Sequence, residues 1–190
     1  LVGAGRHPNI QLITNVEMKR VEGEEGHFHV TLTRKPRYID EEKCTGCGAC
    51  RELCPISVSN EFDLGMGKRK AIYIPFAQAV PNKAVVDSQN CTHLQKLKEG
   101  KDVCRLCQKG IEKKGVLGCE AGAIDFGQVD KFVEVEVGNV IVATGYDTFD
   151  PSLIYQYGYG RLDNVITGLE FERMINASGP TAGKLLLHDG

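Results

Sequence analysis

The chain has 190 residues, of which 42% are hydrophobic, 25% charged and 7% aromatic, with no tryptophan. This length supports one domain with a substantial core and some surplus, and the composition excludes a wholly disordered or collagen-like chain. With 23 basic and 25 acidic side chains the formal charge is -2, which argues against nucleic acid as the main partner. No apolar run approaches the roughly 20 residues of a membrane helix, and no signal peptide is recognisable, so we expect a cytoplasmic protein without a membrane span.

The first region of the chain predicts two strands. Apolar and polar residues alternate over 9–14 and again over 27–33, which is the period of half-buried strands. The polar residues 22–26 predict a turn between them. Upstream, Gly3 and Gly5 begin a pattern like a dinucleotide fingerprint, but Pro8 occupies the third glycine position, so the end of a helix is favoured there.

The last region predicts further strands and one helix. Alternation resumes over 132–137, and the apolar run 140–143 follows it. A helix is predicted from about Gly168 to Asn176, because Thr167 suits the N-cap position and Glu170 completes a capping box.

The middle region, residues 35–127, contains all 8 cysteines and most of the glycine- and proline-marked turns. Two strand-rich flanks around a loop-rich middle indicate an insertion between strands of a host domain. The chain opens at Leu1 rather than at a methionine, and it stops soon after the apolar stretch 184–187, which is typical of the start of a strand. We therefore expect a fragment of a longer protein.

The strongest signal is a run of four cysteines followed by proline, with the C-x2-C-x2-C-x3-C-P spacing of bacterial iron–sulfur ferredoxins: Cys44, Cys47, Cys50, Cys54 and Pro55. Three closely spaced thiolates can wrap one face of a cubane cluster, and the glycines between them let backbone amides approach its sulfurs. In two-cluster ferredoxins the fourth cysteine binds the other cluster. The run therefore predicts a second set of ligands elsewhere.

The remaining cysteines complete such a set with longer gaps: Cys91, Cys104, Cys107 and Cys119. Cys104 and Cys107 keep the two-residue gap, whereas 12 residues separate Cys91 from Cys104 and 11 separate Cys107 from Cys119. Exchange of the fourth ligands gives one [4Fe–4S] cluster on Cys44, Cys47, Cys50 and Cys119, and another on Cys91, Cys104, Cys107 and Cys54. Eight cysteines fill eight ligand positions, which favours two clusters over one.

Two other uses of these cysteines are open. Disulfides suit an even number of cysteines, but disulfide frameworks are typical of small secreted domains. Structural zinc would suit Cys104 and Cys107 taken alone, since thiolates at that spacing also hold tetrahedral zinc. The compact first run, ending in proline, favours iron–sulfur over both. His93 lies close to Cys91 and could tune a cluster by hydrogen bonding, whereas the basic residues 68–70 favour a solvated turn.

Segments along nearly the whole chain together resemble the A subunit of heterodisulfide reductase. They are RHPNI (6–10), KPRYID (35–40), the cysteine run (44–55), GKRKAIYIPFAQAVP (67–81), AGAIDF (121–126), VIVATGY (140–146), NVIT with LEFER (164–167, 169–173) and ASGP (177–180). The resemblance implies an α+β fold. A bacterial two-[4Fe–4S] ferredoxin-like domain, residues 37–128, is inserted between strands of a partial FAD-binding, thioredoxin-reductase-like α/β domain, residues 1–36 and 129–190.

The resemblance also implies site residues and cofactors. Ala143, Thr144 and Gly145 match the turn that brings a strand end close to FAD in such flavoproteins, so FAD is expected in the intact protein along with two [4Fe–4S] clusters. The first cysteine set matches the family directly. The family's second set is a compact C-x2-C-x3-C-P segment, whereas this chain has the insertion 108–118 and Glu120 in place of proline. The glycine-rich FAD fingerprint is not found in the chain.

The resemblance implies that the chain is an iron–sulfur electron-transfer module of a flavoprotein oxidoreductase. It would relay single electrons between FAD and ferredoxin or partner subunits, with flavin-based electron bifurcation as a hypothesis. The implied partners are other heterodisulfide reductase subunits, a ferredoxin, or an electron donor of the hydrogenase or formate dehydrogenase type. Two alternatives stay open: a free-standing two-cluster ferredoxin carrier and a zinc-stabilised interaction module.

Overall fold

The structure is a computed structural model that describes residues 2–101, 103–108, 112–113 and 115–188. The helices in these ranges are α1 (Val2–Arg6), α2 (Ala49–Leu53), α3 (Thr92–Lys98) and α4 (Gly168–Ile175). The strands are β1 (Val16–Glu24), β2 (His27–Arg34), β3 (Ser57–Ser59), β4 (Lys68–Lys70), β5 (Ile72–Tyr73), β6 (Val85–Val86), β7 (Glu112–Lys113), β8 (Val116–Leu117) and β9 (Lys131–Val137).

Two compact units make up the chain. The first unit comprises Leu1–Ser57 and Lys70–Val142, and the second comprises Val58–Arg69 and Ala143–Gly190. Strands β3 and β4 pair as a hairpin stem at the point where the chain leaves the first unit and returns to it. Short helices and open sheets alternate along the described chain, which confirms the predicted α+β class.

The first unit contains a three-stranded antiparallel sheet in the order β1-β2-β9. Val30 of β2 pairs with Val21 on one side and Val135 on the other, and its side chain is buried. The strands predicted over 27–33 and 132–137 are therefore confirmed. Because β2 and β9 flank the cysteine-rich region, residues 35 and 130 lie close together, and the Lys35 ammonium contacts the Asp130 carboxylate at 2.7 Å.

The strand predicted over 9–14 is wrong, because that segment is irregular and β1 begins at Val16. The reason is the register of the hairpin. A tight turn at residues 25–26 pairs Glu24 with His27, and counting back along β2 brings Val16 opposite Arg34, where β2 ends. Residues 9–14 lie beyond the end of β2 and have no ladder to join.

The strands expected over 140–143 and 184–187 are also wrong. Both segments are irregular, and Ile141 and Leu187 expose 92% and 62% of their surfaces. A run of apolar residues becomes a strand only when a neighbouring strand satisfies its amides and carbonyls. In the part of the chain that the structure describes, no strand pairs with either segment.

The helix predicted from about Gly168 is confirmed as α4, together with its capping box. The Thr167 hydroxyl accepts a hydrogen bond from the Glu170 amide at 3.2 Å, and the Glu170 carboxylate accepts one from the Thr167 amide at 2.6 Å. These two bonds satisfy amides that the first turn of a helix cannot satisfy internally.

Within the second unit, α4 is fixed to the segment 58–69 by a buried ion pair. The Arg173 guanidinium donates two hydrogen bonds to one oxygen of Asp63, at 2.8 and 3.0 Å, and lies 4.5 Å from the ring centre of Phe62. The side chains of Arg173 and Asp63 are only 14% and 10% exposed. Burial removes water from both charges, so the pair depends on its own hydrogen bonds.

Candidate metal centre

Cysteines form part of the hydrophobic core of the first unit. Cys44 and Cys50 are buried among small and branched apolar side chains, and the other core members are Ile39, Ile72, Ala84, Val86, Leu94 and Ala123. Cys47 is exposed and the remaining cysteines are partly buried. All eight are free thiols, which does not support the disulfide alternative.

The same turn precedes the first cysteine of each set. Asp40 and Asp87 each stand four residues before a cysteine, and each accepts a bond from that cysteine's amide at its own carbonyl oxygen, at 3.0 Å for Cys44 and 2.8 Å for Cys91. Each carboxylate also accepts bonds from the amides two and three residues further on, at 3.0 to 3.3 Å. The two turns are therefore internal repeats of one structure.

Equivalent pairings extend this repeat to the end of each set. The Asp40 amide donates to the Ala123 carbonyl, and the Asp87 amide donates to the Ala71 carbonyl, both at 2.7 Å. Ala123 and Ala71 are each almost fully buried and each precedes an isoleucine. Each half therefore brings the segment after a fourth cysteine alongside the turn before a first cysteine.

Four thiols line a first cavity of about 540 Å³, and they are Cys44, Cys47, Cys50 and Cys119. The backbone of residues 44–50 forms one wall, and Ile39, Ala84, Ala123 and Ile124 supply apolar surface. The Cys119 sulfur accepts a hydrogen bond from the Ala123 amide at 3.3 Å. Such an amide stabilises negative charge on sulfur, which is the state required of a metal ligand.

The other four thiols line a second cavity, and they are Cys54, Cys91, Cys104 and Cys107. This cavity is only about 20 Å³, and Pro55, Ile56, Ile72, Val86 and Leu106 enclose it. Any cluster held there requires the four side chains to move apart. Among the residues that the structure describes, no three His, Cys, Asp or Glu side chains converge on a point suitable for a single metal ion.

A helix fills the long gap between Cys91 and Cys104. Cys91 stands at the N-cap of α3, and the imidazole of His93 on that helix lies 2.7 Å from the Val103 carbonyl through Nδ1. The His93 ring is 4% exposed and packs on Phe126, with ring centres 4.2 Å apart. His93 therefore fixes the end of the loop that carries Cys104, a residue with the unfavourable φ of +57°.

A hairpin occupies the second long gap. Strands β7 and β8 pair within the insertion between Cys107 and Cys119, so the chain returns to its starting point. The Cys119 amide donates to the Cys107 carbonyl at 2.9 Å. The insertion that distinguishes this chain from the compact family segment thus leaves the two cysteines adjacent.

Burial and neighbouring thiols shift the acidity of this centre. Burial, and then the charges of Cys119, Cys44 and Cys47, raise the pKa of Cys50 to about 12. Burial, and then the charges of Cys91, Cys50 and Cys54, raise the pKa of Cys107 to about 12. Since Cys50 acts on Cys107, the two sets are close neighbours. A metal binds the thiolate form, so it must displace protons that this core holds tightly.

Residues 143–145 lie in the second unit and are exposed. Gly145 has φ of +78°, which favours glycine, and a side chain added there would meet nothing within 4 Å. The backbone is therefore open to close approach from outside, as the expected FAD contact requires. The basic residues 68–70 belong to β4, where Arg69 donates two hydrogen bonds to Glu61.

Sequence reasoning missed three residues of this centre. Asp40 and Asp87 had a detectable signal, because an apolar residue, an aspartate, three further residues and a cysteine occur in the same order twice. Lys83 had none. Its ammonium donates to the Cys44 carbonyl from 39 residues away, and that contact exists only in the folded chain.

Comparison with known proteins identifies the first cysteine run. A family model described as a 4Fe-4S binding domain matches residues 37–58, which include Cys44, Cys47, Cys50 and Cys54. In the part of the chain that the structure describes, no helix is both long enough and apolar enough to cross a membrane.

Curated relatives match nearly the whole chain, and each of them is the A subunit of a reductase. For the H(2):CoB-CoM heterodisulfide,ferredoxin reductase of Methanothermobacter marburgensis the identity is 52%, over 98% of this chain and 26% of the relative. For the CoB--CoM heterodisulfide reductase of Methanocaldococcus jannaschii, whose protein is named as the iron-sulfur one, it is 51%, over 96% and 25%. For the Ferredoxin:CoB-CoM heterodisulfide reductase of Methanosarcina mazei it is 42%, over 95% and 21%. The chain spans about a quarter of the length of these relatives, and the resemblance drawn from its motifs is confirmed.

Proposed function

Because this chain is a homologue of a segment of the A subunit of heterodisulfide reductase, we propose that it is the iron–sulfur electron-transfer part of such a protein. One observation carries the proposal: the eight cysteines line two adjacent cavities with four thiols each, and the first run matches a 4Fe-4S binding domain. A bound cluster would accept and donate one electron at a time. The chain supplies thiolates, amides directed at sulfur and apolar side chains that exclude water.

We assign one [4Fe–4S] cluster to Cys44, Cys47, Cys50 and Cys119, and a second to Cys54, Cys91, Cys104 and Cys107. The division of the thiols between the cavities supports this assignment, as does the exchange of fourth ligands in two-cluster ferredoxins. The influence of Cys50 on the pKa of Cys107 supports a separation short enough for direct electron exchange.

The cluster-binding region is proposed to be a ferredoxin domain, residues 37–128, inserted into a FAD-binding, thioredoxin-reductase-like domain to which 1–36 and 129–190 belong. Pairing of β2 with β9 supports the insertion, because the chain enters and leaves the region at neighbouring strands. Ala143, Thr144 and Gly145 are proposed to contact FAD in the complete protein. The open backbone at Gly145 supports that role.

Within the complete protein, electrons are proposed to pass between FAD and either ferredoxin or partner subunits, with flavin-based bifurcation of electron pairs as the mechanism. The names of relatives support this choice, since they include ferredoxin, H(2) and F(420)H(2). Other heterodisulfide reductase subunits and a hydrogenase- or formate dehydrogenase-type donor are the proposed partners. The bifurcation proposal fails if the complete protein reduces its high- and low-potential acceptors independently of each other.

The cytoplasm is the proposed location. All eight cysteines are free thiols, and reducing compartments maintain thiols in that state.

Anaerobic purification with iron quantification and electron paramagnetic resonance tests the cluster assignment. Two [4Fe–4S] clusters require about eight irons per chain, and two reduced clusters that lie close together give interacting spectra. A colourless preparation that contains zinc would instead identify a zinc-stabilised module. Full cluster content with no flavin in the complete protein would favour a free-standing ferredoxin carrier.

A further inference from the structure

The ammonium group of Lys83 is held against the main chain of the first cysteine set. It donates to the Cys44 carbonyl at 2.5 Å, and its side chain is partly buried. The segment around it is fixed by two backbone contacts. The Lys83 amide donates to the Pro81 carbonyl at 2.9 Å, and the Asn82 carbonyl approaches Gly46 so closely that an added side-chain carbon would lie 2.5 Å from it.

The second set has no counterpart of this charge at the equivalent position. Superposing the two repeat turns, with Asp40 on Asp87, aligns Lys83 with Pro36, which carries no charge. Backbone amides do not distinguish the two sets, since the Ala123 amide reaches Cys119 and the amides of His93 and Leu94 act on Cys91. The fixed cation at Lys83 is therefore a difference between the halves.

We propose that Lys83 raises the reduction potential of an iron–sulfur cluster held by Cys44, Cys47, Cys50 and Cys119, an inference that rests on the proposed function. Reduction adds one electron and therefore one negative charge to the cluster. A positive charge nearby stabilises the reduced form more than the oxidised form, and partial burial limits its screening by water. Lys83 acts through the surroundings of the cluster and is a positioning and tuning residue.

The test is a potentiometric titration of the whole 190-residue chain with dithionite and mediator dyes, followed by electron paramagnetic resonance. Cys47→Ser identifies the first-set signal, because replacing a ligand alters its own cluster. In Lys83→Gln, the ratio of reduced to oxidised first-set cluster at a fixed potential should fall about tenfold, which is about 59 mV for a one-electron couple. Lys83→Arg keeps the charge and should stay near the wild type, with the second signal unmoved in both variants.

Lys43→Gln is the matched control. It removes the same charge beside Cys44 in sequence, but Lys43 is paired with Asp40 at 3.0 Å and is 61% exposed, so the potential should change little. An unchanged first-set potential in Lys83→Gln overturns the inference, as does an equal shift in Lys43→Gln or Lys83→Arg. If Lys83→Gln loses the cluster, Lys83→Met replaces it, and loss in both makes Lys83 structural and also overturns the inference. Absence of both signals in the wild type instead overturns the proposed function.

Discussion

The amide of Cys119 donates a hydrogen bond to the carbonyl of Cys107 at 2.9 Å, across an insertion of 11 residues. The hairpin β7–β8 makes this possible by returning the chain to its starting point. Such an insertion is tolerated because it leaves the ends of the loop, and hence both sulfurs, where a shorter connection would place them.

The return path of this hairpin depends on Gly118. A side chain added there would lie 1.9 Å from the Gln108 carbonyl oxygen, a backbone atom that cannot rotate away. Gly118→Ala should therefore displace Cys119 and destabilise the first unit by about 1–3 kcal/mol. Iron quantification should show loss of the first cluster with retention of the second.

Gly3→Ala is the control for this substitution, because an added carbon at Gly3 meets nothing within 4 Å. It should leave the iron content and the unfolding temperature unchanged. Normal iron content in Gly118→Ala would contradict the assignment of Cys119 as a ligand placed by the hairpin.

The two repeat turns predict a matched pair of selective losses. Asp40→Ala removes the acceptor for two amides before Cys44, and Asp87→Ala does the same before Cys91. Each change should loosen one first cysteine, so each should reduce the iron content by about four atoms, the content of one [4Fe–4S] cluster. Paramagnetic resonance should show a different surviving signal in the two variants.

Asparagine variants separate the turn from the charge. An asparagine oxygen accepts the same amides, so Asp40→Asn and Asp87→Asn should retain both clusters. Loss of the same cluster in both alanine variants would show that the two turns do not serve separate sets.

The buried pair of Arg173 and Asp63 predicts a large effect in the second unit. Arg173→Met leaves the Asp63 carboxylate buried without these hydrogen bonds, which typically costs about 3–5 kcal/mol. Calorimetry should show a lower unfolding temperature, and limited proteolysis should show faster cleavage within 58–69. The double variant Asp63→Leu with Arg173→Met should recover much of the loss.

An exposed pair gives the comparison for this measurement. Lys19 and Glu17 are in contact at 2.6 Å with about half of each side chain exposed, so Lys19→Ala should have no measurable effect on stability. A loss in Arg173→Met no greater than in Lys19→Ala would show that the Arg173 pair does not hold α4 in place.

The acidity of the thiols predicts an order of reactivity in the iron-free, reduced chain. Burial raises the pKa of Cys50 and Cys107 to about 12, so both remain protonated at pH 8, whereas Cys47 is exposed. Iodoacetamide should modify Cys47 first and these two last, as measured by mass spectrometry. In urea the eight should react alike, and preferential labelling of Cys50 in the folded chain would contradict its burial.

The same shifts fix the sign of a pH effect on stability. Below the unfolded pKa of about 9, both states hold these protons and stability is unaffected. As the pH rises from about 9 to about 12, the unfolded chain releases them while the folded chain keeps them, so the free energy of unfolding falls. Denaturant titrations of the iron-free chain at pH 8 and pH 10 should show lower stability at pH 10.

Local patterns predicted part of this protein well. The capping box at Thr167 and Glu170 fixed the start of α4, since its bonds join residues three positions apart. Alternation predicted β2 and β9, which have partners on the sheet. The same kind of pattern failed over 9–14, because the hairpin register gives those residues no neighbouring strand.

From the order of its residues alone, the chain defines which segments carry cysteines at cluster spacing and which family they resemble, because both depend on neighbours a few positions apart. Folding decided which thiols share a cavity, that a hairpin rejoins Cys107 to Cys119, and that Lys83 reaches Cys44. It also decided that the apolar run 140–143 forms no strand with the described residues. The physical reason is that cavities, ladders and cation contacts are made by residues far apart in the chain, whose meeting depends on the packing of the whole unit.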